Sequence, residues 1–307
     1  MTENRQIFDC IIIGAGPAGL GAAIYAARAG FDVLVIEKSG MPGGQIVNTT
    51  DVDNYLGLPG IGGFELGQTF YKHVIDMDVN IVTDMVKSIE LDGELKRINC
   101  DATTYYSKTV VLAMGAHHAK LGVSGEEELI GKGVSYCATC DGAFFRNKKV
   151  VVVGGGDVAV GDALFLSKFC ESVTLIHRRD SLRANKSLQD ALMAKDNIQI
   201  IWNSVVKEIV GTDFVTGVRI SDRTSSEEKV IEASGVFIAV GMEPETELVN
   251  GLVDLDDRGY IIAGEDCKTS VSGILAAGDI RTKNLRQVIT AVADGAASIN
   301  SASEWVI

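Results

Sequence analysis

The sequence predicts an α/β fold built from two parallel-sheet units, the second inserted into the first. Three observations predict it. The β-branched run "FDCIII" (8–13) ends in Gly14, leads into helix-forming "PAGLGAAIYAARAG" (17–30) and returns as strand-like "FDVLVIE" (31–37). The same order recurs in "KKVVVVGGGDVAVGDALFLSKFCESVTLIHRR" (148–179): strand, glycine turn, helix, strand. With Gly14 set on Gly154, Glu37 and His177 each fall 23 residues beyond their first glycine (37 − 14 and 177 − 154). A βαβ unit with this turn normally nucleates its own parallel sheet, so both units read as Rossmann-like, dinucleotide-binding domains.

The other elements follow in chain order. "SKTVVLAMGAH" (107–117) is strand then glycine turn, and "ASGVFIAVGMEP" (233–244) is its counterpart in the second unit. "SGILAAGDI" (272–280) is a strand ending on Gly278-Asp279, and "LRQVITAVADGAASINSASEWV" (285–306) is a closing amphipathic helix. These place a first domain over 1–116 and 244–307, interrupted by a second over 117–243.

The bulk composition narrows the class. With 307 residues, 46% hydrophobic and 22% charged, the chain has the make-up of a two-domain globular protein. A net charge of −13 argues against nucleic acid or an anionic membrane surface as partner. No run approaches the length of a spanning helix, and "MTENRQIFDC" lacks the cationic and apolar segments of a secretory signal. Six scattered cysteines do not make a secreted disulfide scaffold, so a cytoplasmic setting with reduced thiols is expected.

The two glycine turns select different nucleotides. Gly14, Gly16 and Gly19 allow a tight turn and close approach of backbone to a pyrophosphate at a helix N-terminus. Glu37, at the end of the second strand, can accept hydrogen bonds from ribose hydroxyls. The second turn, Gly154, Gly156 and Ala159, has no acidic residue at that place; "HRRDSLR" offers His177, Arg178, Arg179 and Arg183 instead. Arginines attract a 2′-phosphate that a carboxylate would repel, so this unit reads as NADPH-selective. An FAD in the first unit would accept hydride from NADPH and pass electrons on, which gives both sites a purpose.

"SYCATCDG" (135–142) supplies the outlet. A zinc site needs about four ligands, and neither the isolated remaining cysteines nor His117-His118 provide that spacing. Two inert core thiols are a second reading. A redox dithiol is favoured, because a C-x-x-C pair can close a small disulfide. Asp141, next to Cys140, could move a proton when a thiolate leaves.

In this order the flavin turn, "CATCD" and "HRRDSLR" resemble the low-molecular-weight thioredoxin reductases. Further matching stretches are "GAGPAGLGAAIYAARAG", "PGGQIVNTTDVDNYLGLPG", "AAGD" and "LRQVITAVADGA". The resemblance implies a homodimer, an FAD domain split around an inserted NADPH domain, and thioredoxin as protein substrate. It implies that Cys140 is the flavin-side thiol, Cys137 the attacking thiol and Asp141 the acid–base residue. Gly14, Gly16, Gly19, Glu37, Gly44, Gln45, Asn54, Asp279, Arg286, Gln287 and Val288 would contact FAD. Gly154, Gly156, Ala159, His177, Arg178, Arg179 and Arg183 would contact NADPH. It also implies that the NADPH domain rotates on strands near 115–117 and 241–245, where Gly115 and Gly241 suit a hinge.

The chain departs from this pattern in places. Val158 stands where the family usually has Ser or Thr, and Gly161-Asp162 replace paired glutamates. Met114 and Ser124 replace a usual Thr and Pro. The alternatives are therefore a flavin thioredoxin reductase fed by another donor such as ferredoxin, a dithiol oxidase of the same fold, and a non-catalytic redox sensor.

Overall fold

The structure is a computed structural model and describes residues 6–49, 52 and 54–306. Thr50, Asp51 and Asp53 of the family-like stretch, and the first five residues of the chain, lie outside the described residues. In chain order the elements begin β1 Ile7–Ile13, α1 Pro17–Arg28, β2 Val33–Glu37, α2 Gly63–Ile75, β3 Asn80–Thr83, β4 Val86–Asp92, β5 Leu95–Cys100, β6 Thr104–Leu112 and β7 Ala116–His118. They continue β8 Val134–Ser135, α3 Ala138–Asp141, β9 Lys149–Gly154, α4 Asp157–Leu166, β10 Ser172–Ile176, α5 Lys186–Met193 and β11 Ile198–Ile201. Then follow β12 Ser204–Gly211, β13 Val215–Asp222, β14 Glu228–Glu232, β15 Gly235–Ala239, β16 Met242–Pro244, β17 Ile274–Ala276 and α6 Val288–Val306.

The chain divides into two compact units, Met1–His117 with Glu243–Ile307, and His118–Met242. The first is a seven-stranded sheet ordered β3-β2-β1-β6-β5-β4, with β17 paired to β6. β1 is parallel to both β2 and β6, while β5 runs antiparallel to β4 and β6. Alternation along β1 explains why its run is apolar throughout. Cys10 and Ile12 pack into a core with α1 and α6, whereas Ile11 and Ile13 pack into the core on the other face. α1 starts on Pro17, whose missing N–H belongs to the unpaired first turn anyway. It ends two residues before Gly30, at Arg28. α6 and α1 meet through small residues: a Cβ on Gly295 would lie 2.2 Å from the Ala18 carbonyl oxygen.

The second unit has the same logic. Its parallel sheet, β11-β10-β9-β15-β8, sends Val150, Val152, Leu175 and Phe237 toward α4, and Val151, Val153, Ile176 and Ile238 toward the antiparallel sheet β12-β13-β14. The two chain crossings between units, β7 and β16, pair as a two-stranded sheet. Gly115 and Gly241 beside them have φ of +78° and +138°, and a Cβ on either would meet no atom within 4 Å. The closing helix begins at Val288 rather than 285, because Thr290 Oγ1 takes up the Leu285 and Gln287 carbonyls just before it.

Candidate active site

The first glycine turn is shaped by contacts that leave no room for side chains. Gly14 has φ of +102°, and a Cβ on Gly19 would sit 1.8 Å from the Gly14 carbonyl oxygen. Glu37 closes the turn from β2, its Oε2 accepting from Ala15 N–H at 2.7 Å and its Oε1 from Ser39 N–H at 2.9 Å. The loop at 43–44 folds over the same turn: Gly43 N–H donates to the Ala15 carbonyl at 2.8 Å. Gly44 approaches so closely that a Cβ there would lie 3.0 Å from Gly16 Cα.

A second part of the predicted set gathers at the start of α6. Asn54 Nδ2 donates to Gln287 Oε1 at 2.8 Å, and Arg286 lies over the Tyr260 ring at 4.1 Å while its Nε reaches the Asp279 carbonyl. Gly278 brings this part to α1, since a Cβ on it would lie 2.8 Å from Ala18 Cβ. Asp279 Oδ1 is buried with no hydrogen-bond partner. Burial pushes this carboxyl above its ordinary range. An unpaired buried acceptor fits a ligand that presents hydroxyls, as the ribityl chain of a flavin does.

The loop carrying Asp279 is held by residues that sequence reasoning missed. Asp294 of α6 is buried and accepts from Gly278 N–H at 2.9 Å, Arg281 Nη2 at 2.6 Å and Lys283 Nζ at 2.8 Å. Burial works to raise the Asp294 carboxyl, but the Arg281 and Lys283 hydrogen bonds outweigh it and hold the group below the usual carboxylate range. The available signal was a lone acid in the small-residue run "AVADGAAS".

In the second unit Gly156 has open space where a Cβ would be, whereas a Cβ on Gly155 would strike the His177 ring at 2.2 Å. His177 is 4% exposed, and its Nε2 is 3.0 Å from the Ser181 carbonyl oxygen. Burial keeps its pKa below the ordinary histidine value, so it stays neutral beneath the turn. His177 thus lies beneath the turn, apart from the exposed arginines that follow it. Arg178, Arg179 and Arg183 are exposed, and among the described residues none has a carboxylate within ion-pair distance. Arg183 is tied to the turn through its N–H, which donates to the Gly155 carbonyl at 2.7 Å. Asp157 holds the following loop by accepting twice from Asn185.

The departures cluster at the first turns of α4. Val158 is 68% exposed, and Gly161 leaves open space. Asp162 is largely buried, which pushes its carboxyl up to about 6. Ionised, it costs the folded state free energy that the unfolded chain does not bear. Asp162→Asn should therefore stabilise the protein at pH 7 by at most about 3 kcal/mol. The gain should shrink as pH falls below about 6 and vanish only well below the unfolded-state value of 3.8, where the wild-type group is protonated in both states. Melting curves of both proteins across this range check it.

Cys137 and Cys140 form a disulfide, on the one turn of helix that is α3. Cys140 N–H donates to Cys137 Sγ at 3.2 Å. Asp141 Oδ2 accepts from Ser135 Oγ at 2.6 Å. Gly142 packs this turn against Leu166 and Phe165, the last residues of α4, while the glycine turn at 154–156 feeds the first. Gly142, just past the disulfide, thus lies against the C-terminal end of the 10-residue α4, while the nucleotide turn precedes its N-terminal end. Among the described residues no three His, Cys, Asp or Glu side chains are grouped to hold a metal ion, and no helix is long and apolar enough to cross a membrane.

Comparison with known proteins identifies the family. The family model "Pyridine nucleotide-disulphide oxidoreductase" matches residues 8–295. The chain is 44% identical to the thioredoxin reductase of Listeria monocytogenes, over all of this chain and 96% of the relative. It is 43% identical to that of Bacillus subtilis, over 99% and 96%. The crystal structure of thioredoxin reductase from Streptococcus pyogenes superposes with a TM-score of 0.85 at 45% identity, covering 98% of each chain. The chain belongs to the pyridine nucleotide-disulphide oxidoreductase family and, within it, to the thioredoxin reductases.

Proposed function

We propose that the protein is a thioredoxin-disulfide reductase that passes two electrons from NADPH, through FAD and the Cys137–Cys140 pair, to thioredoxin. The observation that carries this reading is the disulfide at Cys137–Cys140 with Asp141 and Ser135 hydrogen-bonded beside it, in a unit that also holds an arginine-flanked glycine turn. Bound FAD supplies a two-electron carrier between nicotinamide and disulfide. The unit of Met1–His117 and Glu243–Ile307 holds it: the 14–19 turn receives the pyrophosphate, Glu37 the ribose, and Asp279 Oδ1 a hydroxyl. The unit of His118–Met242 binds NADPH, with Arg178, Arg179 and Arg183 on the 2′-phosphate and His177 supporting the turn from beneath.

In the dithiol half-reaction, two electrons and two protons convert the disulfide to two thiols. Cys137 as thiolate then attacks the thioredoxin disulfide, breaking its S–S bond and forming a mixed disulfide. Cys140 attacks Cys137 Sγ, restores the original disulfide and releases reduced thioredoxin, while Asp141 moves a proton to a leaving thiolate. Nicotinamide and disulfide both need the flavin yet belong to the one compact unit of His118–Met242, and that unit rotates between the half-reactions so that each meets the flavin in turn. Gly115 and Gly241, both at positive φ without side-chain neighbours, absorb that change. A homodimer in the cytoplasm completes the proposal.

Anaerobic titration of the yellow protein tests the donor. NADPH is expected to bleach the flavin absorbance rapidly and NADH slowly. No bleaching by NADPH would contradict the reading and point to another donor.

A further inference from the structure

The hydrogen bonds around the disulfide bring forward a residue to which neither the C-x-x-C pattern nor the family resemblance gave a role. Ser135 ends β8, which pairs in parallel with β15 at Phe237, and the residue is 5% exposed. It is therefore fixed by the sheet rather than by the dithiol turn. Its oxygen accepts from Cys137 N–H at 3.0 Å. Its single proton has two acceptors within reach, Asp141 Oδ2 at 2.6 Å and the Cys137 carbonyl at 3.3 Å. The shorter contact has the length of a charge-assisted O–H···O⁻ bond, so the proton goes to the carboxylate.

We infer that Ser135 is a positioning residue for the dithiol: it holds the Asp141 carboxylate in register with Cys137, and does so independently of the disulfide. In the oxidised protein the S–S bond already staples the turn. On reduction that staple opens, and Ser135 is the side chain that still ties the Asp141 carboxylate to Cys137. The contribution of Ser135 therefore falls in the steps taken by the reduced pair. This inference rests on the thioredoxin reductase reading above.

Rapid mixing separates the two. NADPH-reduced Ser135→Ala is expected to hand its electrons to thioredoxin roughly ten- to a hundredfold more slowly than wild type, the cost of a misplaced catalytic group. The KM for thioredoxin should stay within about twofold, because the loss lies in proton placement and not in docking. In an Asp141→Asn background the same substitution should cost several-fold less, since the link to the carboxylate is gone and only the bond from Cys137 N–H remains to be lost. Ser135→Ala transferring at the wild-type rate, or a full additional loss in the Asp141→Asn background, would overturn the inference. If wild-type reduced protein itself leaves thioredoxin oxidised, the fault lies in the proposed function and not in the role of Ser135.

Discussion

Cys140→Ser is expected to abolish turnover with thioredoxin, by at least about a thousandfold, while the flavin still bleaches with NADPH. The reason is chemical. Cys137 and Cys140 must exchange two electrons as a pair, and a serine oxygen cannot close the bond that stores them. Cys137 alone can attack a disulfide once but cannot release it, so the variant should accumulate a mixed disulfide with thioredoxin. A mass shift of one thioredoxin on non-reducing analysis checks this. Cys137→Ser should give no such adduct, because the attacking thiol itself is missing. Adduct with Cys137→Ser and none with Cys140→Ser would reverse the assignment of the two thiols.

The largest stability effect is expected from Asp294→Ala. Asp294, Arg281 and Lys283 have side chains 8–9% exposed, and one carboxylate balances both cations. Removing it leaves two buried positive charges and the Gly278 N–H without their acceptor, which costs on the order of 3–5 kcal/mol. Denaturant unfolding should show the loss, and the purified protein should retain less FAD, because the loop carrying Asp279 is no longer fixed. The exposed pair Lys268–Glu304 has similar distances but side chains 35% and 58% exposed, so Lys268→Ala should cost less than about 1 kcal/mol. In acid the Asp294 contribution behaves as for any carboxyl held below its free value. It is present above about pH 4 and is lost as pH falls through the lowered folded pKa.

Much of this was legible in the chain. The βαβ units announced themselves because strand, glycine turn and helix each demand distinct residues, and the two copies share one spacing. The C-x-x-C could be read as redox because its chemistry is local. What escaped depended on contacts between distant residues. The antiparallel sheet β12-β13-β14 carries ordinary alternation, with Val206 and Val218 buried, but no glycine turn draws attention to it. Ser135 carried no motif of its own, and only the turn of α3 brings Asp141 back to it. Asp294 meets its cations because α6 runs past the 278–283 loop. His177 occupied the right place in the sequence, yet its burial follows from the missing side chain of Gly155.

The most direct measurement is the electron count under anaerobic conditions. The purified protein is mixed with excess oxidised thioredoxin and limiting NADPH, and thioredoxin thiols are counted after the flavin has returned to yellow. Electron flow through Cys137–Cys140 predicts two thiols formed on thioredoxin per NADPH consumed, whereas Cys140→Ser should give no more than the one thiol per enzyme that its mixed disulfide frees, independent of NADPH. NADPH consumed without thiols formed, or equal thiol yield from Cys140→Ser, would contradict it.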